Sequence, residues 1–186
     1  MVRPYLDNQS FKFIRLEPNA VVKNFDCGDI DLNEFILKES APFAKALLSV
    51  SYACVDSAYG KTIAFCSLAN DKVSISDFND KTEYNRFRRH QGFPQRKRLK
   101  SYPAVKLCRL GVDVSARGNH IGSWMLDYIK SMFVVSNKTG CRFLTVDAYL
   151  AAIPFYEKNG FVFLNETDKN NPYTRLMYFD LMDIAG

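Results

Sequence analysis

The sequence has few of the residues that build metal centres and disulfide frameworks. It contains two histidines, His90 and His120, and five widely spaced cysteines that never form a C-x-x-C pair. Zinc sites need several such ligands at short spacing, and disulfide-stapled domains need paired cysteines. We therefore expect no metal site. Cys54, Cys66 and Cys108 lie in strand-like apolar stretches, so we expect them to be buried free thiols.

Long apolar runs are also missing. No stretch approaches the length that crosses a bilayer, and the first residues, MVRPYLDNQSFKF, lack the apolar core of a signal peptide. We therefore expect a soluble, cytoplasmic protein with no membrane partner. The chain of 186 residues, 47% of them hydrophobic, is long enough for one well-filled core, which predicts a single domain over residues 1–186.

Acidic residues are absent between Tyr84 and Val112, a stretch that carries nine Lys and Arg residues. The net charge of the whole chain is +5, so the excess positive charge is concentrated in this stretch. We expect a basic loop here, which could bind a cofactor phosphate or a polyanion such as RNA, or could simply be solvated. The candidate substrate contacts are Arg89, Arg96, Lys97 and Arg98.

The clearest pattern is a strand, a glycine-bearing turn and a helix between Ala104 and Asn137. Apolar residues recur at the spacing of one buried helical face, at Ile121, Trp124, Met125, Tyr128, Ile129, Met132 and Phe133. The turn before the helix, from Arg117 to Gly122, has no acidic residue. Amides at a helix start lack intrahelical acceptors and bind phosphate well, so this turn is either a phosphate site or an ordinary helix start.

Periodicity and turn residues predict the other elements. Because a long helix separates the central strand from the next one, those two strands should be parallel. Before the central strand, turn and helix, we predict a strand at 11–16, two short helices between Asp29 and Leu48 that meet at Pro42, and a hairpin at 49–56 and 62–69. After them, we predict a strand at 143–148, a short helix at 151–160, and a hairpin at 161–164 and 173–180.

A second pattern, FYEKNGF at residues 155–161, lies on the predicted short helix. Its tyrosine, Tyr156, is a candidate proton donor because a phenol is protonated at neutral pH and a thiolate leaving group benefits from a donor. The alternative is that Tyr156 simply packs against Phe155 and Phe161.

RLGVDVSARGNHIG and FYEKNGF, in this order, resemble motifs of the GNAT family of acetyl-CoA-dependent N-acetyltransferases. The resemblance covers nearly the whole chain and implies an α/β (α+β) fold. In that fold a mixed sheet of six to seven strands is flanked by about four helices, and the fourth and fifth strands splay apart. His120 stands where the family usually has the first of two glycines.

The resemblance also implies that acetyl-CoA is the cofactor. Its pyrophosphate would be held by the turn, at Arg117, Gly118, Asn119, His120, Ile121 and Gly122. Its pantetheine arm would lie along the backbone of Leu110, Val112 and Val114. The amide of Val112 would also meet the oxyanion of the reaction, and Tyr156 would be the acid that protonates the leaving thiolate.

FDCGDIDLNEFI and FCSLAN, together with the two motifs above, resemble the GNAT toxins of bacterial toxin-antitoxin pairs, which acetylate the α-amine of aminoacyl-tRNA. No carboxylate base is marked by the sequence. An α-amine, with a pKa of about 8, is already partly neutral in the cell, so the missing base favours an α-amine acceptor over a lysine side chain.

Three functions stay open from the sequence. The first is acetylation of aminoacyl-tRNA, with a small antitoxin as protein partner. The second is the same chemistry on a small-molecule or protein amine, and the third is a non-catalytic module that binds acyl-CoA or nucleic acid. A homodimer is a further partner that the sequence leaves open.

Overall fold

The computed structural model describes residues 11–93 and 99–185. Its strands are β1 (Phe11–Arg15), β2 (Val50–Asp56), β3 (Thr62–Ser74), β4 (Ser101–Val112), β5 (Phe143–Tyr149), β6 (Val162–Phe163) and β7 (Thr174–Asp180). They form one seven-stranded sheet in the order β1-β2-β3-β4-β5-β7-β6. Parallel β4 and β5 sit among antiparallel neighbours, which confirms the mixed sheet that the sequence predicts.

The helices follow the predicted order with additions. They are α1 (Ile30–Glu34), a π-helical segment (Phe35–Glu39), α2 (Ser40–Lys45), α3 (Lys81–His90), α4 (Ile121–Val135), α5 (Ile153–Lys158) and α6 (Met182–Ala185). The predicted central helix and the short helix after β5 are confirmed as α4 and α5. Helices α3 and α6 are additional to those that the sequence predicts.

The ladder between β4 and β5 is short. Their ladder joins Ala104 to Phe143 and ends with Lys106 paired to Thr145, although β4 runs on to Val112 and β5 runs on to Tyr149. The predicted splay of the fourth and fifth strands stays a prediction.

Strands β3 and β4 run antiparallel. At one end the N–H of Asp113 donates to the carbonyl oxygen of Ile63 at 2.9 Å, and at the other the N–H of Ile75 donates to that of Lys100 at 2.9 Å. The start of β3 therefore lies beside the end of β4, and the end of β3 lies beside the start of β4.

The predicted interruption at Pro42 is wrong, because the helical segment continues through it. The irregularity comes earlier, in the π-helical segment, where the N–H of Ser40 donates to the carbonyl oxygen of Phe35. Pro42 lies in the first turn of α2, where its missing N–H is tolerated.

The prediction of a basic loop before β4 is partly wrong, because residues 81–90 form helix α3. The carboxylate of Asp80 caps this helix by accepting from the N–H groups of Thr82 and Glu83. Tyr84 and Phe87, three residues apart, are buried and hold the helix to a core cluster. That packing stabilises a helix whose other positions are mostly charged.

The chain divides into two compact units, and each has its own core. The first unit is Met1–Asn70 with Leu107–Ser136, and the second is Asp71–Lys106 with Asn137–Gly186. In the first, a cluster packs around the fully buried Phe65 and includes Phe25, Phe35 and Ile36. In the second, aromatic residues of α3 pack on Phe143 of β5. The single domain expected over residues 1–186 stays a prediction.

Two of the three cysteines expected to be buried are buried, and one is not. Cys54 and Cys66 are fully enclosed, and burial raises the pKa of the Cys54 thiol to about 12. Cys108 is exposed. Successive residues of a strand face opposite sides, so when Leu107 enters the core Cys108 must face away from it.

None of the described helices combines the length and the apolar character that crossing a bilayer requires.

Gly111 of β4 provides a test of the packing in the first unit. A Cβ at this position would lie 2.8 Å from Cε1 of Phe65, closer than side chains tolerate. We expect Gly111→Ala to lower the free energy of unfolding by about 1–3 kcal/mol through overpacking, measured by urea denaturation. In a Phe65→Leu background the clashing ring edge is gone, so the same change should cost much less. An equal cost in both backgrounds would contradict this packing.

Candidate active site

The turn from Arg117 to Gly122, called the α4 turn below, has the backbone shape of an anion cradle. Gly118 has a φ of +81° and His120 a φ of +56°, and both residues are exposed. His120 therefore takes a left-handed conformation that glycine adopts freely and histidine only with strain. It is the residue that precedes α4, and its side chain makes no capping hydrogen bond.

The amides of the α4 turn are available to a ligand. The first hydrogen bond of α4 runs from the N–H of Trp124 to the carbonyl oxygen of His120, at 3.0 Å. In residues 11–93 and 99–185, the N–H groups from Gly118 to Ser123 have no acceptor. A Cβ on Gly118 would meet nothing within 4 Å, so the space above this glycine is open. Free amides, open space and the positive end of a helix dipole fit a phosphate-bearing cofactor.

A hydrogen-bonded loop holds the α4 turn in place within the first unit. It runs from Asp26 to Gly28 and is called the Asp26 loop below. Arg117 donates from Nη2 to the carbonyl oxygen of Cys27 at 2.5 Å, and the N–H of Val114 donates to that of Asp26 at 2.8 Å. Arg117 therefore anchors the turn to this loop, which the sequence pattern did not indicate.

The side chain of Asn33 on α1 closes the Asp26 loop. Asn33 accepts from the N–H of Cys27 at 2.8 Å and donates to the carboxylate of Asp26 at 2.7 Å. The N–H of Gly28 donates to the same carboxylate at 2.8 Å, and these hydrogen bonds hold the pKa of Asp26 below its usual value. Within the FDCGDIDLNEFI segment, the side chains of Asp26 and Asn33 therefore hold this loop together.

Asp113, a buried carboxylate directly after β4, ties this loop to the sheet. It accepts from Lys61 Nζ at 2.9 Å, from Ser115 Oγ at 2.5 Å and from the N–H of Asp26 at 3.2 Å. Burial by itself would raise the pKa of Asp113, but the hydrogen bonds from Ser115 and Lys61 outweigh it and lower the pKa to about 2. The carboxylate is therefore ionised at neutral pH. Sequence reasoning missed this pair because 52 residues separate Lys61 from Asp113.

The three backbone positions expected to hold a pantetheine arm are not equivalent. Asp113 donates its N–H to β3, and successive residues of a strand direct their N–H groups to opposite edges. We therefore expect the amides of Val112 and Leu110 to face the edge of β4 away from β3. Val114 lies beyond the strand, and its N–H already donates to the Asp26 loop, so that amide is not available to a ligand.

Tyr156 is buried on α5, in the second unit. Its ring packs edge-on against Phe155 and Phe161, with centroids 5.2 and 5.4 Å apart, so the packing that the sequence left open is present. Its hydroxyl has no hydrogen-bond partner among the residues that the structure describes. Burial raises the pKa of this phenol, which keeps it protonated and able to donate.

The basic residues around α3 differ in what they contact. Arg88 donates to the hydroxyl of Tyr102 at 2.9 Å, and Lys106 forms an ion pair with Asp147. Arg86 and Arg89 are exposed on α3. Of the predicted substrate contacts only Arg89 is therefore placed, on the solvent side of a helix; Arg96, Lys97 and Arg98 lie outside the described residues.

Within the described part of the chain, no group of three or more His, Cys, Asp or Glu side chains could hold a metal ion.

Comparisons with known proteins agree with this geometry. A family model described as an acetyltransferase (GNAT) domain matches residues 53–163. A comparison with curated proteins found no match. Among solved structures, a tyrosine-to-phenylalanine mutant of KacT has a TM-score of 0.74 and 19% identity, over 95% of this chain and 98% of that chain.

Two structures of a second protein are also similar. AtaT complexed with acetyl-methionyl-tRNAfMet has a TM-score of 0.74 and 20% identity, over 94% of this chain and 96% of that chain. The other is a tyrosine-to-phenylalanine mutant of the AtaT toxin, bound to the C-terminus of the antitoxin AtaR and acetyl-CoA. It has a TM-score of 0.70 and 19% identity, over 95% of this chain and 96% of that chain. At such identities the similarity shows the fold.

The strained backbone of His120 can be tested directly. Glycine adopts a φ of +56° without a Cβ penalty, so we expect His120→Gly to raise the free energy of unfolding by about 0.5–1 kcal/mol. Asn119→Gly is the matched control, because Asn119 has no positive φ and glycine there should destabilise through chain entropy. Urea denaturation without ligand measures both. A destabilised His120→Gly variant would contradict the left-handed turn.

Proposed function

We propose that this chain, which belongs to the GNAT family of acetyltransferases, moves an acetyl group from acetyl-CoA to the α-amine of an aminoacyl-tRNA. Family membership establishes the acetyltransferase class and the acetyl-CoA donor. The acceptor, and a toxin-like role in blocking translation with a small antitoxin as partner, belong to the proposal.

The observation that carries the donor half is the α4 turn. Its amides from Gly118 to Ser123 have no described acceptor, and they begin a helix of fifteen residues. Phosphate groups bind at such helix starts, so the turn would hold the pyrophosphate of the donor. The amides of Leu110 and Val112 would hold its extended arm. Coenzyme A, when bound, supplies a thioester that activates the acetyl group.

Each unit has its own part in the chemistry. In the first unit, the amide of Val112 donates a hydrogen bond that stabilises negative charge as it develops on a carbonyl oxygen. In the second unit, the phenol of Tyr156 stays protonated because burial raises its pKa, and it donates its proton as sulfur departs.

Two observations support a tRNA acceptor. Helix α3 presents Arg86 and Arg89 to solvent, and the chain from Tyr84 to Val112 contains no acidic residue. Such a surface attracts a phosphate backbone. AtaT, which is similar in fold, is described in a complex with an acetylated aminoacyl-tRNA.

The proton donor is tested by Tyr156→Phe, which removes the hydroxyl and keeps the ring that packs against Phe155 and Phe161. We expect kcat to fall by about 100- to 10,000-fold, the range that a lost general acid gives, while the Kd for acetyl-CoA in calorimetry changes little. Tyr149→Phe, at an exposed tyrosine of the same unit, is the control and should leave both unchanged. Full turnover by Tyr156→Phe would remove this residue from the mechanism.

The acceptor is tested by the salt dependence of acetylation of aminoacyl-tRNA. We expect the double variant Arg86→Gln/Arg89→Gln to raise the KM for the tRNA and to reduce the slope of log KM against log salt by about two, one for each lost phosphate contact. Arg88→Gln removes one positive charge, from a residue that hydrogen-bonds Tyr102, so the slope for this variant should change by less than one. A small-molecule amine should show no such slope in any variant. Equal slopes for tRNA in all three proteins would exclude α3 as the contact.

A further inference from the structure

His120 holds a strained conformation that no contact of its side chain within the chain offsets. Its φ of +56° lies in the left-handed region, where the β-carbon of histidine is crowded. The side chain is exposed and makes no capping hydrogen bond to α4. None of the described residues gives the imidazole a hydrogen bond or an ion pair. Strain of this kind is concentrated at sites that bind ligands, so the side chain of His120 is a candidate for a ligand contact.

The surroundings of His120 are accessible to a ligand. In residues 11–93 and 99–185, the N–H groups from Gly118 to Ser123 have no acceptor, and a Cβ on Gly118 would meet nothing within 4 Å. The exposed imidazole therefore belongs to a turn whose amides are free, at the positive end of a helix of fifteen residues. Because the imidazole extends from the same turn, an anion bound to those amides lies within its reach.

The charged groups of the neighbouring segments have partners other than His120. Arg117 of the same turn donates to a backbone carbonyl of the Asp26 loop at 2.5 Å. The carboxylate of Asp26 accepts hydrogen bonds within that loop and from α1. Further along α4, the carboxylate of Asp127 lies 3.8 Å from the ammonium group of Lys130. No carboxylate in the described part of the chain forms an ion pair with His120, so a ligand must supply the anion for a protonated imidazole.

We propose that the protonated imidazole of His120 binds the pyrophosphate of the donor, so that the affinity for the donor rises as the pH falls. This inference rests on the proposed function, which assigns the pyrophosphate to the α4 turn. An imidazolium donates from both ring nitrogens, and its hydrogen bonds to phosphate oxygens are about twice as strong as neutral ones. A bound pyrophosphate therefore favours the protonated imidazole, and binding takes up a proton.

The direction of the pH effect follows from the charges of the two groups. Imidazole is mostly neutral above about pH 7.5 and mostly cationic below about pH 5.5, whereas the pyrophosphate of the donor keeps its negative charges throughout this range. The 3′-phosphate of acetyl-CoA is a monoester that gains a proton near pH 6, which weakens its own attraction to cations and opposes the effect. The 3′-dephospho form of acetyl-CoA lacks that group and therefore isolates the pyrophosphate contact.

The test is calorimetric titration of the full chain with 3′-dephospho-acetyl-CoA at about pH 5.5 and about pH 8, at equal ionic strength. We expect the Kd to be about tenfold lower at the acidic pH. Near neutral pH, binding should take up a fraction of a proton, measured from the binding heats in buffers of different ionisation enthalpy. His120→Asn removes the charge and tolerates the left-handed conformation, so it should abolish both effects. His120→Gly should do the same and serves as the second variant.

His90→Asn is the matched control, since His90 is the other histidine of the chain and is exposed at the end of α3, and it should keep the full pH dependence. The inference is overturned if wild type has the same Kd at both pH values, or if the His120 variants keep the pH dependence. It is also overturned if only acetyl-CoA, and not its 3′-dephospho form, binds more tightly at the acidic pH, because the contact is then with the 3′-phosphate. A wild type that binds neither form at either pH contradicts the proposed function as well.

Discussion

The candidate donor site depends on one buried carboxylate. Asp113 lies where β4 ends, and it accepts hydrogen bonds from Lys61, Ser115 and the Asp26 loop. Those partners keep it ionised despite its burial. Since the α4 turn begins only a few residues later, this one ion fixes the direction in which the chain leaves the strand. The free amides of the turn are useful to a ligand only because the backbone before them is held.

In the second unit, the phenol of Tyr156 is both buried and protonated. Aromatic neighbours enclose Tyr156 and none of the described groups takes its hydroxyl. Packing and proton donation are therefore not competing explanations of the FYEKNGF segment. The same rings that make Tyr156 part of a core raise its pKa and preserve its proton.

Polar groups in the first unit differ in whether they have hydrogen-bond partners. The polar groups of the Asp26 loop are paired by hydrogen bonds, so Asn33, Asp26 and Arg117 stabilise the fold. The hydroxyls of Ser49, Ser51 and Ser67 are buried too, but they have no hydrogen-bond partner among the described residues.

The sequence by itself determined the elements whose signal is local. Helix α4 follows from its apolar periodicity, the hairpins follow from strand-forming runs broken by turn residues, and the FYEKNGF helix follows from its proline and glycine boundaries. Only the tertiary structure decided that residues 81–90 are helical, that Cys108 faces outward, that His120 is left-handed, and that Lys61 reaches Asp113. The contact of Lys61 with Asp113 depends on residues far apart in the chain, and the exposure of Cys108 depends on which face of its strand meets the core. Spacing along a sequence carries no information about such contacts until the chain has folded.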